Sequence, residues 1–464
     1  MLPDLYQLTR DIRNGILSPI DLVDSALQNQ SVLEPQQNAF KLITDGLARK
    51  SAEAATASFA CGSDPGPLAG LPISVKDLYA VTGYPTYAGS QKEVPEIYNQ
   101  QGPIVDLIRS QLGVITGKTH TVEFAFGGLG VNSHWGTPWN PWDASTHRVS
   151  GGSSAGAGVS LIQGSALIAL GSDTAGSVRI PASVTGTVGL KTSFGRWSLN
   201  GIFPLSQTLD TAGILTRSVA DAAFAFAILD PFTHENPWDF VDSLRNANAP
   251  RLGTGETALW ETSKASISAC VLGALKELEQ KGARLIEAPL PEAVDAQNLL
   301  RKGNVVASEI AERLHSDMPE WLTLLDALVG SRIRDGDDIS ASEYIGRIRT
   351  LKRITDTSSR RFNNCDVMVC PTVPVTPPAL DTVLDIESYR PANMSSLHHT
   401  CAANSLSLCA ITIPAGLDDE GMPVGLQLMA PFNQERNLLA TALWIEDCLG
   451  NSSQRLGKAP LGVS

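Results

Sequence analysis

Along this chain the spacing of apolar positions changes three times. Over the first sixty residues it has helical period: Ile20, Leu22, Val23, Ala26 and Leu27 form one stripe behind Ser18-Pro19-Ile20-Asp21. A capping Ser, a Pro at the first helical position and an acid in the first turn mark a helix start. From Leu68 onward, short apolar runs at 71–75, 113–116, 166–170 and 187–190 alternate with helical stretches such as 103–112. Such runs fit strands buried on both faces, so the pattern predicts an α/β fold with a mixed central β-sheet and helices on both faces. Ser218 opens a further helix over 219–229, which ends before Asp230-Pro231. Residues 250–362 read as mostly helical and more charged, with long segments at 272–281 and 342–362. Strand-like runs return at 366–370, 410–414 and 424–429, and an amphipathic helix over 435–449 closes the pattern. The expected organisation is N-terminal helices over 1–60 and a main domain over 61–464, with 250–362 as a helical insertion.

Composition narrows the class. The 464 residues are 43% hydrophobic, 18% charged and 6% aromatic, an ordinary globular balance. Net charge is −13, with no basic stripe, which argues against nucleic acid as a partner. No apolar run reaches the ~20 residues that span a bilayer, and the N-terminus lacks a signal-peptide pattern. Seven scattered cysteines fit reduced thiols in a cytoplasm. Neither they nor the seven histidines have metal-ligand spacing, so no metal or organic cofactor is expected.

Glycine and serine are densest in two stretches, Val149-Ser-Gly-Gly-Ser-Ser-Ala-Gly-Ala-Gly158 and Gly171-Ser-Asp-Thr-Ala-Gly-Ser-Val-Arg179. Gly lets backbone approach a ligand closely, and two such loops flanking the run 166–170 would aim N–H groups at one point. These stretches, with Ser74-Val-Lys-Asp77, Ile180-Pro-Ala-Ser183, Val188-Gly-Leu-Lys-Thr192, Cys370-Pro-Thr-Val373 and Pro423-Val-Gly-Leu-Gln-Leu428, resemble the amidase-signature family. The resemblance covers about 68–229 and 366–449 and implies hydrolysis of a C–N amide-type bond through an acyl-enzyme. On it, Lys76 matches the base, Ser153 the relay serine after a cis peptide, and Ser177 the nucleophile. Ser153 and Ser177 are 24 positions apart, the family's spacing. Backbone N–H groups of Thr174, Ala175, Gly176 and Ser177 match the oxyanion hole. Phe126, Gly127, Gly128 and Leu129 match a wall of the acyl pocket, with the glycines leaving room or exposing N–H groups. A homodimer is common in the family, and the implied substrate is a small amide, urea-like compound or carbamate.

The chemistry stands on its own terms. A serine hydroxyl needs a base within hydrogen-bond reach. Lysine is protonated at neutral pH at its reference pKa of ~10.4, but burial beside Leu71, Ile73 and Val75 would lower that value. Ala175 stands where many members have Gly, which puts the loop geometry in question. Ser172 stands where Thr is frequent, with no catalytic effect expected. Asp173 and Arg179 read as a structural ion pair, and Lys191 as structural.

Rival readings are weaker. Alone, Lys76 is a strand-end lysine reaching for water, Ser153 and Ser154 a chain turn, and Ser177 a helix cap; all three in family order favour chemistry. Gly152-Ser-Ser-Ala-Gly156 also satisfies the G-x-S-x-G elbow of α/β-hydrolase-type esterases with Ser154 as nucleophile, but the polar stretch before it is no strand. The family also includes the glutaminase subunit of tRNA-dependent amidotransferases, the alternative within the same chemistry. Residues 131–143 with His147-Arg148 look more like stand-alone bacterial amidases, of the carboxybiuret and allophanate hydrolase kind.

Overall fold

The structure is a computed structural model that describes residues 3–300 and 304–463. Eleven strands form one sheet: β1 Phe40–Ile43, β2 Pro72–Lys76, β3 Val114–Thr119, β4 Ile168–Asp173, β5 Val188–Lys191, β6 Thr211–Thr216, β7 Arg251–Thr254, β8 Arg284–Glu287, β9 Val367–Pro371, β10 Cys409–Leu417 and β11 Pro423–Ala430. Their spatial order is β1-β3-β2-β4-β6-β5-β10-β11-β9-β7-β8. β2 runs parallel to both β3 and β4, and β7 parallel to both β8 and β9. The other pairs are antiparallel, so the sheet is mixed.

Strand side chains alternate faces, and the buried residues sort accordingly. Ile168 and Leu170 of β4, Ile214 of β6, Ile411 of β10 and Leu428 of β11 join the largest apolar cluster. That cluster includes the helices Val219–Leu229, Ala265–Gln280 and Glu435–Leu449. Ala169 and Leu215 face the other way, against the helices Ala157–Ile162 and Arg179–Thr185. Ala410 and Met429 also lie outside the main cluster, in a second one beneath the helices at 292–299 and 341–358. Burial on both faces explains why most strands read as continuous apolar runs rather than alternating ones.

Local signals act as their chemistry requires. The Ser18 hydroxyl accepts from the Ile20 N–H at 3.2 Å and caps the helix Pro19–Gln37. The Ser218 hydroxyl caps Val219–Leu229 in the same way. Differences from the expected elements lie mostly at the sheet edges. The N-terminal segment supplies β1 as well as helices. Residues 250–362 alternate their helices with β7 and β8, which extend the sheet beyond β9. Both are four residues long and begin on an exposed arginine, so neither carries a long apolar run. β6 lies inside the sheet yet escapes the pattern, because Thr-Ala-Gly-Ile-Leu-Thr holds only three apolar residues. No helix among the described residues is long and apolar enough to cross a membrane.

Candidate active site

Three chain segments meet at the carboxyl ends of the parallel strands β2 and β4, where open α/β sheets commonly hold ligands. β2 ends on Lys76, which is wholly buried. β4 ends on Asp173 and leads through residues 174–178 into the helix Arg179–Thr185. The third segment, 150–156, turns between them before the helix Ala157–Ile162, and its Gly152–Ser153 peptide bond is cis.

Lys76 Nζ lies 2.7 Å from Ser153 Oγ and 3.0 Å from Ser172 Oγ. A neutral amine has two N–H donors and one lone pair, so it can donate to Ser172 and accept from Ser153. Burial lowers the Lys76 pKa to about 7, against the opposing pull of Asp210 and Asp173. The Ser154 N–H donates to the Ser177 carbonyl at 3.2 Å, which ties the serine loop to the loop carrying Ser177. Ser177 itself is 4% exposed.

Asp173 shapes the Ser177 loop. Its carboxylate accepts from the Gly176 N–H at 2.8 Å and the Val178 N–H at 3.1 Å, and pairs with Arg179 at 2.9 Å with both side chains fully buried. Burial alone would raise this carboxyl, but Arg179 and the backbone donors hold it below the usual carboxylate range. Arg179 also donates to Thr400 O, Gln427 Oε1 and Asn404 Oδ1. The expected structural ion pair is thus the hub of a buried network. Lys191, buried and lowered to about 8, donates to the Thr192 carbonyl and stays outside it.

Several expectations need correction. The Gly176 N–H is committed to Asp173, so it is not open to an oxyanion. Among the described residues no group accepts from the N–H groups of Thr174, Ala175 and Ser177, and these three remain. Gly176 is required for another reason. It sits at φ +137°, and a Cβ there would lie 2.2 Å from Thr400 Oγ1. Ala175 is not among the residues with positive φ, so its methyl group is compatible with the loop. Ser172, read as inert, holds the lysine amine; only the pairing of β2 with β4 brings the two together. Asp210 carries no sequence signal, yet burial raises it to about 6, and it accepts from the Thr174 hydroxyl at 2.6 Å.

Of the expected acyl wall, Phe126 alone lines a cavity of about 470 Å³. Gly127 and Gly128 do not leave room for a ligand: a Cβ would come within 2.5 Å of Tyr389 Oη and 2.6 Å of Ser396 Oγ respectively. The Gly128 N–H is taken by Asn393 Oδ1 at 2.7 Å. Leu129 packs in an apolar cluster with Val131, Val149 and Tyr389. The glycines let the helix Ile386–Leu397 close down on this loop, whose Gly128 carbonyl accepts from the Gly152 N–H at 2.8 Å. The cavity lining does not include Ser177. The cavity flanks the loop carrying Ser177, since Leu300 lines it and packs on the apolar cluster containing Ala175.

The elbow reading fails on geometry. No strand leads directly into Ser154, whose hydroxyl points to the Ser172 carbonyl at 3.4 Å. Several histidines are engaged elsewhere, for example His399 with Pro371 O and His134 with Glu123. Among the described residues no group of His, Cys, Asp and Glu could hold a metal ion.

The amidase family profile matches residues 21–439. The chain is 47% identical over 450 residues to 2-amino-5-chloromuconic acid deaminase of Comamonas testosteroni, covering 97% of each. It is 30% identical over 495 residues to a glutamyl-tRNA(Gln) amidotransferase subunit from Synechococcus sp. (strain RCC307), covering 97% of this chain and 98% of that one. A crystal structure of an amidase superposes with a TM-score of 0.87 at 30% identity, over 97% of this chain and all of the other. The chain therefore belongs to the amidase family and hydrolyses a C–N bond of the amide type.

Proposed function

We propose that Ser177 is the nucleophile, Ser153 the proton relay and Lys76 the general base of a serine-based hydrolysis that releases ammonia. The observation that carries this reading is the buried contact of Lys76 Nζ with Ser153 Oγ at 2.7 Å, at the mouth of the loop bearing Ser177. Neutral Lys76 takes a proton from Ser153 as Ser153 takes one from Ser177, and the Ser177 oxygen attacks the electrophilic carbon. The developing oxyanion sits against the N–H groups of Thr174, Ala175 and Ser177, where fixed donors outside bulk water are most effective. Collapse expels the nitrogen, which takes back the proton through Ser153. Water then enters by the same relay and releases the acid from Ser177.

Ammonia as leaving group is supported by the 47% identical relative, a deaminase by name. The greater distance of the amidotransferase relatives, at 30% identity, favours a free-standing enzyme over a glutaminase subunit. All seven cysteines are free, and on that ground we place the enzyme in the cytoplasm.

Serine-directed fluorophosphonate labelling tests the assignment without a known substrate. Ser177→Ala should abolish both labelling and ammonia release, while Ser154→Ala keeps labelling. Loss in Ser154→Ala with retention in Ser177→Ala would transfer the role to Ser154.

A further inference from the structure

We propose that Asp210 is a positioning residue for the reaction: its carboxylate holds Thr174 in the loop before Ser177 and supplies the counter-charge for Lys76 as the lysine takes up the proton. The role assigned to Asp210 rests on the reading of Lys76 as the base, to which it adds an anionic partner.

Asp210 stands one residue before β6, whose antiparallel pairing with β4 sets Thr211 opposite Asp173. One step further along the two segments, Asp210 meets Thr174, and its Oδ1 accepts from the Thr174 hydroxyl at 2.6 Å. The other oxygen, Oδ2, accepts from the backbone N–H groups of Leu205 and Ser206, each at 2.9 Å. Three donors from two segments therefore fix this carboxylate in place. The turn that supplies two of them is pinned in its own right. Glu309, on the helix Val305–Asp317, accepts from the hydroxyls of Ser206, Thr208 and Tyr344. Asp210, Thr174 and Lys76 are all buried, so their mutual electrostatics are poorly screened by water.

Two carboxyl groups act on Lys76, and they differ in their own surroundings. Asp173 is paired with Arg179 at 2.9 Å, so much of its charge is cancelled locally. Asp210 forms no ion pair among the described residues, and the like charge of Glu309 faces it from the helix side. Buried charges are paired as a rule, because an uncompensated one is costly. The cation available to Asp210 is Lys76, across β4, whose amine is bonded to Ser172 of that strand. Of the two acids Asp210 opposes the fall of the Lys76 pKa more strongly. Its own carboxyl is raised to about 6 by burial, so it is ionised at neutral pH. When the proton of Ser177 reaches Lys76 through Ser153, an ammonium forms facing that anion, in an interior where opposite charges attract more strongly than in water. The same carboxylate steadies Thr174, whose N–H faces the developing oxyanion. The rival role for Asp210 is a brace that only shapes the turn 205–210, and a brace would not move the titration of Lys76.

The test follows fluorophosphonate labelling of Ser177 in the full chain from pH 5 to 9. Asp210→Asn keeps an acceptor for the Thr174 hydroxyl and removes the charge. Lys76 then loses its counter-ion, and the acid limb should move down from about 7 by at least ~0.5 of a pH unit. The plateau rate should fall as well, because the ammonium that forms is no longer compensated. Thr174→Val should lower the plateau roughly tenfold, the value of one hydrogen bond, and leave the limb in place. An acid limb that stays put in Asp210→Asn would overturn the proposal and leave Asp210 as a brace. Asp210→Ser, the same loss of charge in a smaller side chain, is read in the same way if Asp210→Asn does not fold. Lys76→Met is measured alongside. A limb that survives Lys76→Met sinks the reading of Lys76 as the base, whereas a limb lost there and unmoved in Asp210→Asn sinks the role of Asp210 alone.

Discussion

Lys76 makes the sharpest quantitative prediction. With a pKa of about 7, roughly three quarters of the amines are neutral at pH 7.5, against about one in a thousand at the reference value of ~10.4. Burial thus raises the concentration of usable base by a factor of the order of 10³. The rate of fluorophosphonate labelling of Ser177, followed from pH 5.5 to 9, should rise with an apparent pKa near 7 and then level off. Lys76→Met should remove that limb and slow labelling by at least ~10²-fold, the lower end of what base assistance contributes. Lys76→Arg should not rescue, because a guanidinium stays protonated. Stability should also depend on pH through this group. The folded pKa is below the unfolded one, so between about pH 7 and ~10.4 the unfolded chain binds more protons and stability rises with pH. Below about pH 7 the full cost of the buried ammonium is present, several kcal/mol by order of magnitude. Lys76→Met should therefore be more stable than wild type at pH 6, with the gap closing towards pH 10. An unchanged acid limb in Lys76→Met would show that another group is the base.

Three further outcomes follow from the same geometry. Ser172→Ala removes a hydrogen bond to the lysine amine and should slow labelling by roughly tenfold, since such a bond is worth ~1 kcal/mol; an unchanged rate would return Ser172 to an inert role. Gly176→Ala places a methyl group 2.2 Å from Thr400 Oγ1 at φ +137°, so urea unfolding should show a loss of ~2–4 kcal/mol together with loss of labelling. Asp173→Asn leaves the Arg179 guanidinium without its buried counter-charge and should cost ~3–5 kcal/mol by the same measurement, with the soluble yield as a second readout.

The positions proposed to carry the chemistry could be singled out in the sequence because each is tied to its chain neighbours. Lys76 ends an apolar strand, and Ser153 and Ser177 sit in Gly-rich loops whose composition is dictated by close backbone approach. The central strands were mostly legible for a related reason: a strand buried on both faces tends to be an unbroken apolar run. β7 and β8, four-residue strands at one end of the sheet, carry no such run, so the segment 250–362 read as mostly helical. The role of Ser172 depends on the parallel pairing of β2 with β4, which no local pattern encodes. The commitment of the Gly176 N–H depends on where Asp173 turns its carboxylate, and the closure of the Gly127–Gly128 loop on a helix more than 250 residues away in sequence. Sequence alone determined which groups could react, since reactivity belongs to residue type and its immediate backbone. Which charges are paired, which donors are spent and which remain for a ligand were decided by tertiary contacts, because burial and pairing are properties of the folded surroundings.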